Sequence, residues 1–182
     1  RLGGNSLLET IVFGRRAGLR AADAVAGKPP RALSDATLKV EEARIKQLMT
    51  NEGPERAWQV RDELGQVMSL NLGIFRTKQS MVEAGERVLA LKERVDRVLL
   101  QDRGKIFNTD LIQALELQSL LDVAETIVVG ALAREESRGA HYRADFPRRD
   151  DANWLKHSLA YREAEGPSLS YAPVTITRFP PK

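Results

Sequence analysis

Two stretches of this sequence carry residue types that could do chemistry. The first is its start, Arg1-Leu2-Gly3-Gly4-Asn5-Ser6-Leu7-Leu8-Glu9. Two adjacent glycines let a backbone approach a ligand closely. The residues after them open a helix, whose first turn has N–H groups without intrahelical acceptors and the positive end of the helix dipole. Such a helix start suits an anion, or a carbonyl that gains negative charge during a reaction. Arg1 adds a planar guanidinium fork that can hold a carboxylate through two hydrogen bonds. On the residues alone, an ordinary glycine-containing turn with a helix cap is the favoured reading, because Gly-Gly-Asn-Ser is a common turn sequence. The second stretch is Ser137-Arg138-Gly139-Ala140-His141 with Arg148, Arg149, Asp150 and Asp151. It reads as an arginine–histidine site or, preferably, as a helix C-cap at Gly139 followed by an interdomain docking segment. Arg148 to Asp151 reads as a solvated or interdomain salt-bridge loop, each exposed pair contributing roughly 0–1 kcal/mol.

Other chemistries find no support. The two histidines, His141 and His157, follow no zinc-ligand spacing, and there is no cysteine. A zinc site, a thiol nucleophile and a disulfide framework are therefore excluded. No Gly-rich phosphate or dinucleotide loop and no nucleophile elbow is present. Paired Glu-x-x-His motifs of a di-iron bundle are also absent. His157 reads as a surface or strand residue, and Trp58 and Trp154 as packing residues.

The elements that must position these residues are mostly helical. A capping box, Ser6 with Glu9, opens a helix over about Ser6 to Ala26 whose first two apolar turns predict burial. Ser34-Asp35 caps a second helix to about Thr50, and Pro54 suits the first turn of a third. Trp58, Val60, Leu64, Val67 and Met68 form the stripe of that third helix. A fourth helix is predicted from Lys78 to Leu100, with Met81, Val82, Val88, Leu89, Leu91, Val95, Val98 and Leu99 apolar. A fifth, capped by Asn108-Thr109, runs from Asp110 to Ser137 with a core face of Leu111, Leu115, Leu120, Leu121, Ala124, Ile127, Val128 and Leu132. The third to fifth helices, joined by short loops, predict an antiparallel three-helix bundle. Ser158 to Arg162 and Ser168 to Phe179, around Gly166-Pro167, predict strands, as a hairpin or as a strip added to another domain. The expected class is mainly α with small strands in the C-terminal tail. The expected divisions are residues 1–33, 34–140 and 141–182.

Composition narrows the function classes. The 28 basic and 25 acidic residues are interleaved, giving a net charge of +3, and aromatics are only 5%. That is a solvated helical surface, not a nucleic-acid groove or a base-stacking platform. The longest lipid-like run, Thr126 to Leu132, is far too short to span a bilayer. Because the chain opens inside a tight loop, it reads as a fragment or a processed chain.

Three separated motifs then point to one family. Arg1-Leu2-Gly3-Gly4-Asn5-Ser6-Leu7-Leu8-Glu9 continuing to Val12-Phe13-Gly14-Arg15 resembles the segment of succinate dehydrogenase and fumarate reductase flavoproteins that joins the FAD-binding domain to the helical domain. Ser137 to His141, Asp145-Phe146-Pro147 and Arg149 to His157 resemble the family's distal signature. Tyr171 to Lys182 resembles its closing strand. The resemblance implies that Arg1 binds a carboxylate of succinate or fumarate. It implies that Ser6 and Leu7 contact the FAD isoalloxazine through their backbone, and that Gly3, Gly4 and Asn5 shape that approach. It also implies an iron–sulfur subunit and membrane-anchor subunits as partners, with this chain a peripheral subunit on the cytoplasmic face of the inner membrane. The nucleotide-binding glycine loop and the remaining catalytic groups of that family are missing here, so the chain alone is expected to be inactive and not to hold FAD tightly. Two alternatives compete. L-aspartate oxidase shares the helical C-terminal domain but typically differs at Gly3-Gly4 and lacks the Arg149 to His157 block. A free-standing helical interaction module would need no redox role.

Overall fold

A computed structural model describes residues 5–29, 32 and 34–178. The chain divides into two compact units, residues 1–43 and 44–182. The first contains helix α1 (Asn5–Val25) and the start of α2 (Asp35–Thr50). The second contains the rest of α2, then α3 (Ala57–Asn71), α4 (Lys78–Lys92), a 3-10 turn (Val95–Arg97), α5 (Thr109–Ala133), a one-turn α6 (Asp151–Trp154) and strands β1 (Lys156–Glu163) and β2 (Gly166–Pro173). No helix among the described residues is long and apolar enough to cross a membrane.

The predicted bundle forms from α3, α4 and α5. Its interior is written in a 3–4 spacing on each helix. The buried apolar positions are Ala57, Val60, Leu64 and Val67 on α3, and Met81, Ala84, Val88 and Leu91 on α4. On α5 they are Ala114, Leu117, Leu121, Ala124, Val128 and Ala131. That spacing keeps one seam facing the neighbours, and the alanines let the helices approach. Leu48 and Met49, late in α2, pack against the same core. Arg44 Nη2 donates to the Leu115 carbonyl at 3.1 Å.

Several faces and ends differ from the sequence reading. Trp58 is 55% exposed, because the seam of α3 runs through Ala57 and Val60 and leaves Trp58 about a quarter-turn away. Val82, Leu89, Leu120 and Ile127 are likewise exposed. The seam runs instead through Ala84, Val88 and Leu91 on α4 and through Leu117, Leu121, Ala124 and Val128 on α5, and a count of large apolar residues overlooks its alanines. Pro54 lies before α3 rather than in its first turn. Helix α4 ends at Lys92, not near Leu100. Beyond it, Leu99 N–H donates to Glu55 O at 2.8 Å and Glu55 N–H to Arg97 O at 3.2 Å. Arg94 joins Glu63 at 2.6 Å and Glu55 at 2.8 Å. This pairing with the segment before α3 outcompetes further helix.

Helix α5 starts as expected, with the Asn108 side chain accepting from Leu111 N–H at 2.8 Å. It ends at Ala133, before Ser137. The tail forms a hairpin, one of the two predicted forms, antiparallel with Lys156 opposite Pro173 and Glu163 opposite Gly166, and its second strand ends at Pro173, short of the predicted run. The hairpin is tied to α5 by Arg162–Asp122 at 3.2 Å. Lys92 bridges Asp122 at 2.9 Å and Glu125 at 2.6 Å.

Helix α1 forms over nearly the predicted span, but its apolar residues are not covered. Leu7, Ile11 and Phe13 are 75%, 72% and 57% exposed. An apolar pattern states a demand for burial; a second surface must meet it, and one helix cannot bury its own side chains. Ser6 is helical rather than a cap, and its carbonyl accepts from Thr10 Oγ1 at 2.6 Å.

Candidate functional site

The two candidate stretches fare differently. Arg1, Gly3 and Gly4 lie outside the described residues, as does the side chain of Asn5. Ser6 and Leu7 occupy the first turn of α1. Their N–H groups fall among the first four of the helix, which lack intrahelical acceptors, so this end can receive a carbonyl or anion. Leu7 and Leu8 expose apolar surface beside it.

The second stretch is built as an ionic knot at the C-terminal end of α5. Glu136 is completely buried. Its carboxylate accepts from Arg134 Nη1 at 2.5 Å, from Arg138 Nε at 2.8 Å and Nη2 at 3.0 Å, and from the Asp150 N–H at 2.9 Å. Burial by itself would raise this carboxyl, but the Arg138 fork, the Asp150 N–H and Arg134 together push it down to about 2. Arg138 also reaches Asp151 at 2.5 Å, which in turn binds Arg149 at 2.9 Å. Arg148 to Asp151 is thus an intramolecular brace, and Asp150 caps α6 by accepting from Asn153 N–H at 3.1 Å.

Arg143, also fully buried, does the work expected of Gly139. Its Nη1 donates to the carbonyls of Leu132 and Arg134, both at 3.1 Å, and Ala131 at 3.4 Å. These are orphan acceptors of the α5 terminus, so a side chain caps the helix. Its other donors fork onto Asp145 at 2.8 and 2.7 Å. That guanidinium holds the Asp145 carboxyl well below the usual range. Gly139 instead sits in a two-residue turn at φ 59°, where Arg138 and His141 exchange backbone hydrogen bonds at 2.8 and 3.0 Å. Ser137 Oγ accepts from Arg143 N–H at 2.9 Å and donates to Phe146 O at 2.8 Å.

His141 Nδ1 accepts from Arg76 Nη1 at 3.0 Å, and Nε2 donates to Arg134 O at 3.2 Å. Desolvation lowers its pKa; the hydrogen bond to Arg134 O opposes this, and the Arg76, Arg143 and Arg134 charges add to the lowering. His141 connects Arg76 to the Arg134 carbonyl as a neutral imidazole. Trp154 packs as expected, edge-on to Tyr171 at 5.8 Å and under Arg134 at 5.2 Å. His157 lies exposed on β1. Sequence reasoning missed Glu136, Arg143 and Arg76 altogether. Their signal lies in which neighbours the fold supplies.

The described residues thus comprise a helical bundle locked at the C-terminal end of α5 by buried guanidinium–carboxylate pairs, and a helix whose first turn carries N–H groups without intrahelical acceptors. The family model for the fumarate reductase flavoprotein C-terminus matches residues 61–182. The whole chain is 44% identical to the fumarate reductase flavoprotein subunit of Haemophilus influenzae and covers 31% of its length. It is 39% identical to the succinate dehydrogenase flavoprotein subunit of Coxiella burnetii, covering 32% of that protein. Among solved structures, a chain of Escherichia coli quinol fumarate reductase superposes with a TM-score of 0.90 at 43% identity, over all of this chain and 32% of that one. A chain of the Mycobacterium smegmatis Sdh1 complex superposes at 0.82 with 36% identity, over 97% of this chain and 30% of that one. The chain belongs to the succinate dehydrogenase/fumarate reductase flavoprotein family and corresponds to its C-terminal portion. It spans about a third of the length of the curated relatives it matches.

Proposed function

We propose that this chain is the C-terminal third of an FAD-dependent flavoprotein subunit that interconverts succinate and fumarate. In this reading electrons pass through the flavin to iron–sulfur and quinone-binding subunits, and the subunit is peripheral on the cytoplasmic face of the inner membrane. The observation that carries the proposal is the match along the entire chain, the N-terminal loop included, at 44% identity. Residues 1–33 then belong to the end of the FAD-binding domain, 34–140 to the helical domain and 141–182 to a docking extension.

The residues present fit FAD at one edge. The start of α1 offers N–H donors at Ser6 and Leu7, and exposed Leu7 and Leu8 offer apolar surface to a ring. When bound, FAD supplies hydride acceptance. With FAD bound there, the N–H groups of the first turn of α1 would favour negative charge building at the ring's N1 and C2 carbonyl. Gly3, Gly4 and Asn5 admit the close backbone approach, and Arg1 grips a substrate carboxylate with its planar fork.

The test compares two polypeptides. The 182-residue chain, mixed with FAD and passed through gel filtration, is expected to retain no flavin and to oxidise no succinate. The full-length flavoprotein is expected to do both, and Arg1→Gln within it to raise the KM for succinate. Stoichiometric flavin on the isolated chain, or none on the full-length protein, overturns the reading.

A further inference from the structure

The loop between α3 and α4 carries an apolar tip that no described residue covers. Ile74 and Phe75 are 75% and 74% exposed, and Leu70 at the end of α3 is 76% exposed. Tyr142 stands edge-on to Phe75, with ring centroids 5.5 Å apart. The tip is rigidly mounted. Arg76 N–H donates to Tyr142 O at 3.2 Å, and Ala144 N–H donates to Arg76 O at 2.7 Å.

Beside these aromatics lies the half-buried guanidinium of Arg76. Nε donates to the carbonyls of Leu72 at 3.1 Å and Gly73 at 3.0 Å, and Nη1 to His141 Nδ1 at 3.0 Å. All three acceptors are neutral. Four other arginines at this end have carboxylates: Arg134 and Arg138 share Glu136, Arg143 has Asp145, and Arg149 has Asp151. Among the described residues Arg76 pairs with no carboxylate, and its Nη2 has no acceptor. A cation partly removed from water without a counter-charge is unfavourable, and a carboxylate brought to it in a water-poor contact relieves that cost.

We propose that Arg76, with Ile74, Phe75 and Tyr142, is a docking site for a protein segment presenting a carboxylate beside an apolar side chain, and that this segment lies in the part of the polypeptide preceding this chain. Charge complementarity sets the chemistry of the occupant. Its source follows from length: the chain is 31% of a relative it matches end to end, and the matching family model is the C-terminal one. The second point rests on the function proposed above.

The full-length flavoprotein, purified with the subunits that accompany it, tests this in the form Arg76→Lys. A carbodiimide joins the introduced amine to a carboxylate in contact with it, and mass spectrometry of the digest locates the bond. The parent protein, treated alike, accounts for native lysines such as Lys78. The expected product links position 76 to an Asp or Glu upstream of this chain. A benzophenone amino acid replacing Phe75 is expected to mark the same upstream segment, whereas one replacing Trp58 marks none of it. Bonds only within this chain, bonds to a separate subunit, or no bond with either probe overturn the site. FAD absorbance and succinate oxidation are measured on the same preparation. Both present without an upstream bond sinks the docking site alone; both absent sinks the functional reading.

Discussion

Replacing Glu136 by Gln removes the charge at the centre of the ionic knot while keeping its shape. The carboxyl is held at about 2 against an ordinary 4.5 and is completely buried. At about 1.4 kcal/mol per pH unit, that difference corresponds to roughly 3 kcal/mol favouring the folded state. The sign follows from the lowered pKa. The stabilisation is complete above pH 4.5 and is lost as pH falls from there towards 2, where the folded protein also takes up the proton. Glu136→Gln is therefore expected to cost about 3 kcal/mol at pH 7, in line with breaking a buried pair from one side. In a domain of this size that lowers the melting temperature by roughly 6–12 °C. Denaturant unfolding of both proteins between pH 7 and pH 2.5 is the assay. The gap is expected to narrow as pH falls, because the unfolded parent takes up a proton below about 4.5 that the folded carboxyl resists until about 2. A gap under about 1 kcal/mol at pH 7, or one that does not narrow in acid, refutes the argument.

Further outcomes follow from the same geometry. Arg143→Met removes the guanidinium from Asp145, which keeps only backbone donors such as the Lys78 N–H, and from the Leu132 carbonyl at the end of α5, and is expected to cost about 3–5 kcal/mol, with faster hydrogen exchange in the last turn of α5. Gly166→Ala meets both a φ of 117° and a Glu125 oxygen 2.8 Å from the added carbon, whereas Gly139→Ala meets only a φ of 59° in open space. Chemical denaturation should show the first costing about 2–3 kcal/mol and the second about 1. Asn108→Ala removes the α5 cap and should cost about 1 kcal/mol. Trp58→Ser, on the exposed face of α3, should change stability by less than about 0.5 kcal/mol, and a larger loss would mean that the seam of α3 is misplaced.

What the sequence carried was local and periodic. The starts of α2 and α5 were visible through a cap and that of α4 through its apolar repeat, because both are properties of neighbouring residues. The hairpin was visible through the Gly166-Pro167 punctuation between alternating runs. The family was legible because its motifs lie at both ends of the chain, Arg1 to Arg15 and Ser137 to His157. The endpoints of α4 and α5 were not legible, since each was set by a competitor far along the chain. Glu55 paired with Leu99 and Arg97, and Arg143 folded back onto the carbonyls of α5.

The same division holds for charge. The sequence alone determined a helical chain of balanced charge with an N-terminal turn suited to a carbonyl or anion. Only the tertiary structure decided that Arg148 to Asp151 braces its own domain. It also decided that Glu136 is ionised inside the protein, and that Arg76 meets no carboxylate among the described residues. An arginine looks the same in every sequence. Whether it is a cap, half of a buried pair or an open docking point depends on which acceptors the fold brings within about 3 Å and how much water it removes around them.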